Sequence, residues 1–538
     1  MKRYITIIAM AGSAMASMTA QTVVDAMRFG STEIIGTARY RAMGGAFGAV
    51  GGDPSCASDN PAGLAIYRST NLFTITPHLG FTGIESKGTE HVKQSDNNVA
   101  VSNLSAIFSF KNNDDSGLIN FNLGIGFNRK MENTSKYDMS LDVPANGSFA
   151  NYLTNQANDY LNGAMKPGTA FDWDNSYTTA PFMSMLAYNT SAITNAPNNP
   201  YAVVNTQQQF CQNLGFSYLP YQRLYTSEKT RLDHYNISAA MNFNDRLYLG
   251  VTMAITDFNS TIESEFDEDH GFNTDYDSDS YLAFDNRFET KGTGVGFNLG
   301  LIWTPIDNWR LGAAVHTPTW GTMTEYNEGS MLYNAELQDG KFSFGDWESY
   351  YDSWKYDFAT PWEYQFSTAV ILGTQGLISL EYDLRDFSTM EYSYNRDFGL
   401  DNMYFKQSNA AISKYLDKQH TIKVGGEYRV NRQLSLRAGY AYVTSPCTEQ
   451  MEQGQVDVRD QNICYYSTTK PNFQTLGAQY YVSAGAGWRA QHWYFDLSYV
   501  YQHSDQHAAA FPGDFGHSKL VDLDLQKQSW DLTLGYRF

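Results

Sequence analysis

The carboxyl-terminal stretch WDLTLGYRF, residues 530–538, decides the fold class. Every second residue from Trp530 to Phe538 is apolar or aromatic, and the residues between them are charged, polar or small. A period of two is the period of a β-strand, and aromatic residues at both ends are typical of a strand that faces lipid on one side and an aqueous lumen on the other. Residues 530–538 therefore predict a membrane-spanning β-strand.

The same alternation recurs upstream, for example over residues 247–255, 378–385 and 493–501. We count about 14 such segments between residues 72 and 538, and single-chain bacterial barrels have an even number of strands. Short turns alternate with long polar connections, which favours a barrel over a soluble sandwich. We therefore expect an all-β fold, a transmembrane antiparallel β-barrel of about 14 strands, in the bacterial outer membrane with both termini in the periplasm.

Two regions do not alternate like barrel strands. Residues 21–71 are rich in glycine and predict a hatch, or plug, inside the lumen of the barrel that residues 72–538 form. Residues 131–230 form the largest predicted external loop, which is too long to be a bare connection. Within it, apolar residues recur at helical spacing over 149–161 behind Ser148, so we expect short helices over the external mouth.

The amino terminus indicates export. Lys2 and Arg3 precede an apolar stretch, and residues 1–20 predict a signal peptide that is cleaved after Ala20. No apolar run of about 18 residues follows, which argues against a helical membrane protein. The formal net charge is −20, so nucleic acid is a poor partner for the chain.

Four cysteines would enter an oxidising compartment. Cys447 and Cys464 lie 17 residues apart in one predicted loop, and we expect a disulfide between them. Cys56 and Cys211 fall in regions that we place far apart, and we expect both to be free thiols. The spacing of the four does not resemble a zinc site.

Two weaker patterns are interpreted as surface features. The run 263–279 contains eight acidic residues and resembles the start of a calcium loop, but Ser280 and Asn286 stand where a calcium loop has glycine and glutamate. We expect a solvated acidic loop and no metal. His503 and Ser504 suggest a hydrolase, but no consistent set of acid, base and nucleophile emerges. We expect no enzyme activity and no cofactor.

Part of the predicted hatch resembles a known family. It reads GTARYRAMGGAF over residues 36–47, GGDPS over 51–55 and NPAGL over 60–64. These motifs resemble the amino-terminal hatch of the FadL/TodX (OMPP1) family of transporters of hydrophobic compounds, in its Bacteroidetes form. Residues 304–318 are similar to a turn and the following strand of the same family.

The resemblance implies passive transport. A hatch would plug a 14-stranded barrel, and a hydrophobic small molecule, such as a long-chain fatty acid, would leave sideways through a gap in the wall. Gly124 and Gly126 in the third predicted strand are candidates for this gap, with a plain pleat of small side chains as the alternative. The resemblance places these hatch residues on the ligand path, with purely structural roles as the alternative: Gly44, Gly45, Phe47, Asp53, Asn60, Pro61 and Gly63.

The expected surroundings are outer-membrane lipid and lipopolysaccharide. The acidic external loops also offer a surface for a protein partner. The alternative function is therefore a barrel that docks proteins or serves as a secretion accessory at the cell surface, and an outer-membrane enzyme comes third.

Overall fold

The computed structural model describes most of the chain, and in particular these ranges: 22–68, 71–112, 117–143, 147–163, 171, 181–209, 220–270, 280–336, 342–348, 352–394, 405–456, 473–511 and 520–538. The predicted signal peptide, Cys211, Cys464 and residues 271–279 lie outside these ranges. In the part of the chain that is described, no helix combines the length and the hydropathy needed to cross a membrane.

Fourteen antiparallel strands close into a barrel, because β1 pairs with β2 on one side and with β20 on the other. The predicted fold class is thereby confirmed. The β-strands are β1 (Leu72–Lys87), β2 (His91–Lys111), β3 (Leu118–Asp142), β4 (Ile193–Ala196), β5 (Asn199–Asn205), β6 (Tyr221–Phe243), β7 (Leu247–Asp269), β8 (Tyr281–Ile306), β9 (Trp309–His316), β10 (Trp320–Glu336), β11 (Phe342–Glu348), β12 (Asp352–Ala359), β13 (Glu363–Leu372), β14 (Gly376–Asp386), β15 (Glu391–Ser393), β16 (Lys418–Arg429), β17 (Leu434–Val443), β18 (Phe473–Arg489), β19 (Trp493–Ala509) and β20 (Val521–Arg537).

Some wall strands are interrupted. β9 and β10 together form the seventh strand of the wall, β11 to β13 form the eighth, and β14 with β15 forms the ninth. β4 and β5 pair only with each other and stand apart from the wall.

Outward-facing apolar side chains form a belt around one half of the barrel. Ile237 on β6 and Val251 on β7 are exposed, and Trp303, Trp309 and Trp493 are exposed where strands meet short turns. Apolar side chains with aromatic residues at the border are the pattern of a lipid-facing surface. The short turns and the ends of the barrel chain share this rim, since the backbones of Asn71 and Phe538 are hydrogen-bonded to each other.

The strands continue far beyond the belt towards the rim that carries the long loops. β7 has 23 residues and β8 has 26, whereas a membrane-spanning strand needs about 9–11. β3 runs on to Asp142 and β6 begins at Tyr221, so the largest connection spans residues 143–220 instead of the predicted 131–230.

Short helices fill the lumen, both in this extended half and at the level of the belt. The short helices are α1 (Val23–Gly30), α2 (Ala38–Ala42), α3 (Phe149–Gly163), α4 (Phe182–Asn189), α5 (Lys406–Tyr415) and α6 (Glu449–Glu452), with 3₁₀ helices η1 (Pro54–Ala57), η2 (Pro61–Ile66) and η3 (Phe387–Thr389). α3 is the helix predicted behind Ser148, and its apolar face is buried. Phe149 packs against Phe266 and Phe284 from two wall strands and against Phe511 from the loop after β19.

Candidate functional site: hatch, seam and luminal cavity

The hatch, residues 22–68, occupies the lumen at the level of the belt. Its core is almost fully buried, with Phe47 at 0% exposure. The Phe47 ring packs against the ring of Tyr40, with centroids 5.6 Å apart, and lies under the guanidinium of Arg39 at 5.1 Å. Phe47 is therefore part of the internal packing of the hatch.

Gly44 and Gly45 end helix α2 with positive φ angles of 63° and 76°. A side chain at Gly44 would also lie 2.9 Å from the backbone nitrogen of Tyr440 on β17. The facing wall residue is Gly439, where a side chain would lie 2.1 Å from the Gly44 nitrogen. Both the turn and the close approach to the wall require glycine here.

The Asn60-Pro61-Ala62-Gly63 turn presses against two other wall strands. Asn60 caps η2 by accepting from the Ala62 backbone over 3.1 Å, and its Nδ2 donates to the Gly48 carbonyl over 2.7 Å. A side chain at Gly250 on β7 would lie 2.3 Å from the carbonyl carbon of Pro61, and one at Gly300 on β8 would lie 2.1 Å from Oδ1 of Asn60.

Asp53 and Gly63 hold the hatch together internally. Oδ1 of Asp53 accepts from the Ser55 backbone over 2.9 Å and from Oγ1 of Thr37 over 2.7 Å. Burial raises the pKa of the Asp53 carboxyl above its usual range. A side chain at Gly63 would collide with Sγ of Cys56, which is a buried free thiol as the sequence predicts.

Buried ion pairs tie the hatch to one side of the wall. Nε of Arg39 lies 2.9 Å from Oε2 of Glu427, which is also 2.8 Å from Nε of Arg437. Arg437 in turn lies 2.6 Å from Oδ1 of Asp496. These side chains join the hatch to β16, β17 and β19.

Further charged contacts act on the same side. The Gly48 backbone donates to Oε2 of Glu381 on β14 over 2.6 Å. Nζ of Lys423 lies 2.6 Å from both Glu381 and Asp383. The alternation of the strands indicates that such charged residues face the lumen, but it does not show which of them meet the hatch.

The wall has a discontinuity between β2 and β3. The two strands are paired from Lys111↔Asn120 up to Asn103↔Asn128 and no further. Beyond that point β2 pairs only with β1 and β3 pairs only with β6. We call residues 91–102 of β2 together with residues 129–142 of β3 the seam.

A β-bulge at Lys130 marks the start of the seam on β3. The hatch lies directly behind it, because the Glu33 backbone donates to the Lys130 carbonyl over 2.7 Å. Across the seam, Nζ of Lys136 lies 3.0 Å from Oδ2 of Asp96. Its far end is closed by the Thr89 backbone, which donates to the Ser140 carbonyl over 2.7 Å.

Gly124 and Gly126 lie in the paired stretch below the seam, opposite Ile107 and Ser105. A side chain at Gly124 would touch Leu64 of the hatch at 3.3 Å. The two glycines therefore lie in the paired part of the wall, near the discontinuity that begins at the bulge, and their assignment to a wall opening stays a prediction. A one-residue bulge leaves no clear signal in a polar strand.

A cavity of about 90 Å³ lies in the lumen between α1 and the wall. Met131 and Asn133, which line it, follow the Lys130 bulge on β3, so the cavity lies immediately inside the seam. The rest of its lining comes from α1, the segment after α1, β6 and β18 to β20.

Two further predictions concern single residues. Ser504 lines the cavity, whereas Nδ1 of His503 lies 3.2 Å from Asp524 on the opposite face of the wall, so the two do not form a catalytic pair. Cys447 is buried, and its Sγ lies 3.4 Å from Sδ of Met27. Its expected partner, Cys464, lies outside the described residues, and the disulfide stays a prediction.

Comparison with known proteins identifies relatives of this architecture. The family model described as outer membrane protein transport protein (OMPP1/FadL/TodX) matches residues 187–470, which is over half of the chain. The crystal structure of a Pseudomonas aeruginosa FadL homologue matches with a TM-score of 0.54 at 15% identity, over 94% of this chain and 99% of that one. The deltaS2 mutant of the TodX monoaromatic hydrocarbon channel matches with a TM-score of 0.51 at 13% identity and the same coverage. At these identities the two structures support the fold alone. No curated protein matches the sequence.

Proposed function

Because this chain belongs to the OMPP1/FadL/TodX family of outer membrane transport proteins, we propose that it carries hydrophobic small molecules, such as long-chain fatty acids, passively across the bacterial outer membrane. In this proposal the short-turn rim and both termini face the periplasm, and the long loops face outward. The driving force is the partitioning of the ligand itself, about 0.8 kcal/mol for each buried CH₂ group.

The seam is the observation that carries the proposal of sideways release. Over residues 91–102 and 129–142, no backbone pairing joins β2 to β3 in the structure. Parting them in this region therefore breaks side-chain contacts such as Asp96–Lys136 and the Thr89–Ser140 backbone hydrogen bond at the far end, and leaves the paired stretch below the seam intact. The cavity lies on the luminal side of the same strands, so a ligand held there is one wall thickness from the outside of the barrel.

A reversible cross-link across the seam tests this route. Asp96→Cys and Lys136→Cys, in a background with Cys211 and Cys464 changed to serine, can be joined by a bifunctional reagent that a reductant cleaves. We expect uptake of a radiolabelled hydrophobic compound into cells to fall on cross-linking and to recover on reduction.

The control pair is Phe110→Cys with Phe121→Cys, which face each other in the paired stretch below the seam. Cross-linking there is expected to leave uptake unchanged, because the backbones are already joined. Uptake that persists through a fully cross-linked seam contradicts sideways release at this position. Uptake equal to that of cells without the protein contradicts transport itself.

The alternative, a docking surface for proteins at the acidic external loops, stays a prediction. Glu263, Glu265 and Asp267 are exposed on the extended part of β7, as that hypothesis requires. Exposed acidic residues are equally expected of any hydrated outer surface.

A further inference from the structure

The cavity between α1 and the wall has a mixed lining. Its apolar part consists of Met27, Met131, Leu476 and Leu525. Its neutral polar part includes Asn133, Gln474, Thr475, Gln479, Gln502, Ser504 and Gln506. A lining of this kind fits a molecule that has an apolar body and a polar group.

The charged side chains at the cavity are paired with protein groups. Nε of Arg28 lies 2.9 Å from Oε1 of Glu228, and its Nη1 lies 3.0 Å from Oδ1 of Asp25. Nζ of Lys527 lies 2.5 Å from Oε1 of Glu33. Among the described residues of the lining, no cation is therefore left to balance a carboxylate of a ligand, and burying an ionised group without a partner is strongly unfavourable.

The neutral groups at the cavity are not all satisfied. Nε2 of Gln502 donates to Oε1 of Gln479 over 3.1 Å. In contrast, Ser504 is 1% exposed, and its Oγ has no hydrogen-bond partner. Oδ1 of Asn133 on the same cavity is buried without a partner as well. Buried hydroxyl and amide groups normally have partners, so these two atoms indicate that a further group belongs in the cavity.

We propose that this cavity binds the polar group of an uncharged amphiphile, such as a long-chain alcohol or amide, with Ser504 and Asn133 as its hydrogen-bond partners. The inference rests on the proposed transport function and narrows its substrate class to uncharged amphiphiles, so that an ionised fatty acid is no longer among the expected ligands of this cavity. A hydroxyl or a primary amide both donates and accepts, so it can accept from Ser504 and donate to Asn133. An alkane does neither, and a carboxylate cannot donate.

Four probes with the same chain length test the proposal: 1-decanol, decanamide, decanoate and decane. Their binding to the purified full-length protein is measured by equilibrium dialysis at pH 8, where decanoate is ionised. We expect 1-decanol and decanamide to bind at least about fivefold more tightly than decane and decanoate, since one neutral hydrogen bond changes affinity by roughly this factor.

Ser504→Ala is expected to weaken binding of 1-decanol about fivefold and to leave binding of decane unchanged. Asn133→Leu provides a second variant with the same expectation. The matched control is Ser393→Ala, because Ser393 is also buried and its Oγ also lacks a partner, but it lies outside the cavity. This variant is expected to bind all four probes normally.

Decanoate that binds as tightly as 1-decanol overturns the proposal, as does a Ser504→Ala effect that is equal for decane and 1-decanol. The cavity would then hold water or select by size. Uptake of the same probes into proteoliposomes separates this failure from that of the proposed function. Equal uptake of all four leaves transport in place and overturns only the substrate class, whereas uptake no faster than into protein-free liposomes overturns both.

Discussion

Gly250 lies where the hatch backbone meets the barrel wall, and its replacement should unseat the hatch. A methyl group there would lie 2.3 Å from the carbonyl carbon of Pro61 and 2.4 Å from the backbone nitrogen of Ala62. Non-bonded carbon atoms rest at about 3.5–4.0 Å, so Gly250→Ala displaces the turn by about 1.2–1.7 Å. Overpacking of this kind costs about 1–3 kcal/mol, which changes the ratio of seated to displaced hatch by roughly 5- to 150-fold.

Hydrogen exchange measured by mass spectrometry reports this displacement. We expect amides of residues 54–67 to exchange faster in Gly250→Ala, while the strands of the barrel keep their protection. Cells that carry the variant should also become sensitive to a large hydrophilic antibiotic that an intact outer membrane excludes. Heat-dependent mobility on denaturing gels checks that the barrel has folded.

Gly426→Ala on β16 is the matched control. A side chain there would meet only the Leu377 carbonyl, at an ordinary distance of 3.7 Å, so exchange in the hatch should not change. A Gly250→Ala protein that folds and shows wild-type exchange over residues 54–67 would refute the close seating of the hatch on β7.

Three further predictions concern buried polar groups. Arg437→Met removes a cation that lies 2.8 Å from Glu427 and 2.6 Å from Asp496. Leaving these carboxylates buried without their partner should lower the free energy of unfolding by about 3–5 kcal/mol and lower the midpoint of thermal unfolding. An unchanged midpoint would contradict this prediction. Glu268, beyond the lipid-facing belt, accepts from the Ser148 hydroxyl and the Phe149 backbone at 2.6 Å each, so Glu268→Gln should increase exchange in α3. Burial opposes ionisation of Glu268, but the contacts with His270, the Ser148 hydroxyl and the Phe149 backbone together outweigh it and hold the pKa of Glu268 below the usual range. The resulting stabilisation is present above about pH 4.3, the ordinary value, and is lost as the pH falls further, whereas Glu268→Gln should lack this dependence. Burial raises the pKa of the Cys447 thiol to about 11, so a thiol reagent at pH 7 should not modify Cys447 in the folded protein. After unfolding without a reductant, the reagent should modify a free Cys447 thiol. A disulfide with Cys464 would prevent this modification.

Sequence patterns located the lipid-facing part of the barrel well, because lipid constrains every second residue there. They placed strand ends too early on the side of the long loops. β3 continues to Asp142 and β6 begins at Tyr221, yet their outward residues include Glu132, Arg223 and Lys229. Outside lipid, outward-facing residues need not be apolar, so the alternation fades while the hydrogen-bonded backbone continues.

The hatch was recognisable as a segment, but its contacts with the wall were not. At Gly250, Gly300 and Gly439 the hatch lies so close to the wall backbone that a side chain would not fit. Each is a glycine within a β-strand, which is a signal of close backbone approach. Such a glycine does not reveal which distant segment approaches it, because that depends on the register of strands far apart in the chain.

The contacts of the hatch with the wall differ in strength between the two sides of the barrel. Facing β14, β16, β17 and β19, it is bound by charged groups such as Arg39 with Glu427 and the Gly48 backbone with Glu381. Facing β3 and β6 near the seam, the Ser58 hydroxyl accepts from two neutral amides, Asn128 at 2.7 Å and Asn236 at 2.8 Å, and Lys130 donates to the Ser58 carbonyl only at 3.4 Å. Charge-assisted hydrogen bonds are roughly twice as strong as neutral ones. Displacing the hatch near Ser58 therefore breaks weaker contacts than displacing it near Arg39, and Ser58 lies beside the discontinuity between β2 and β3.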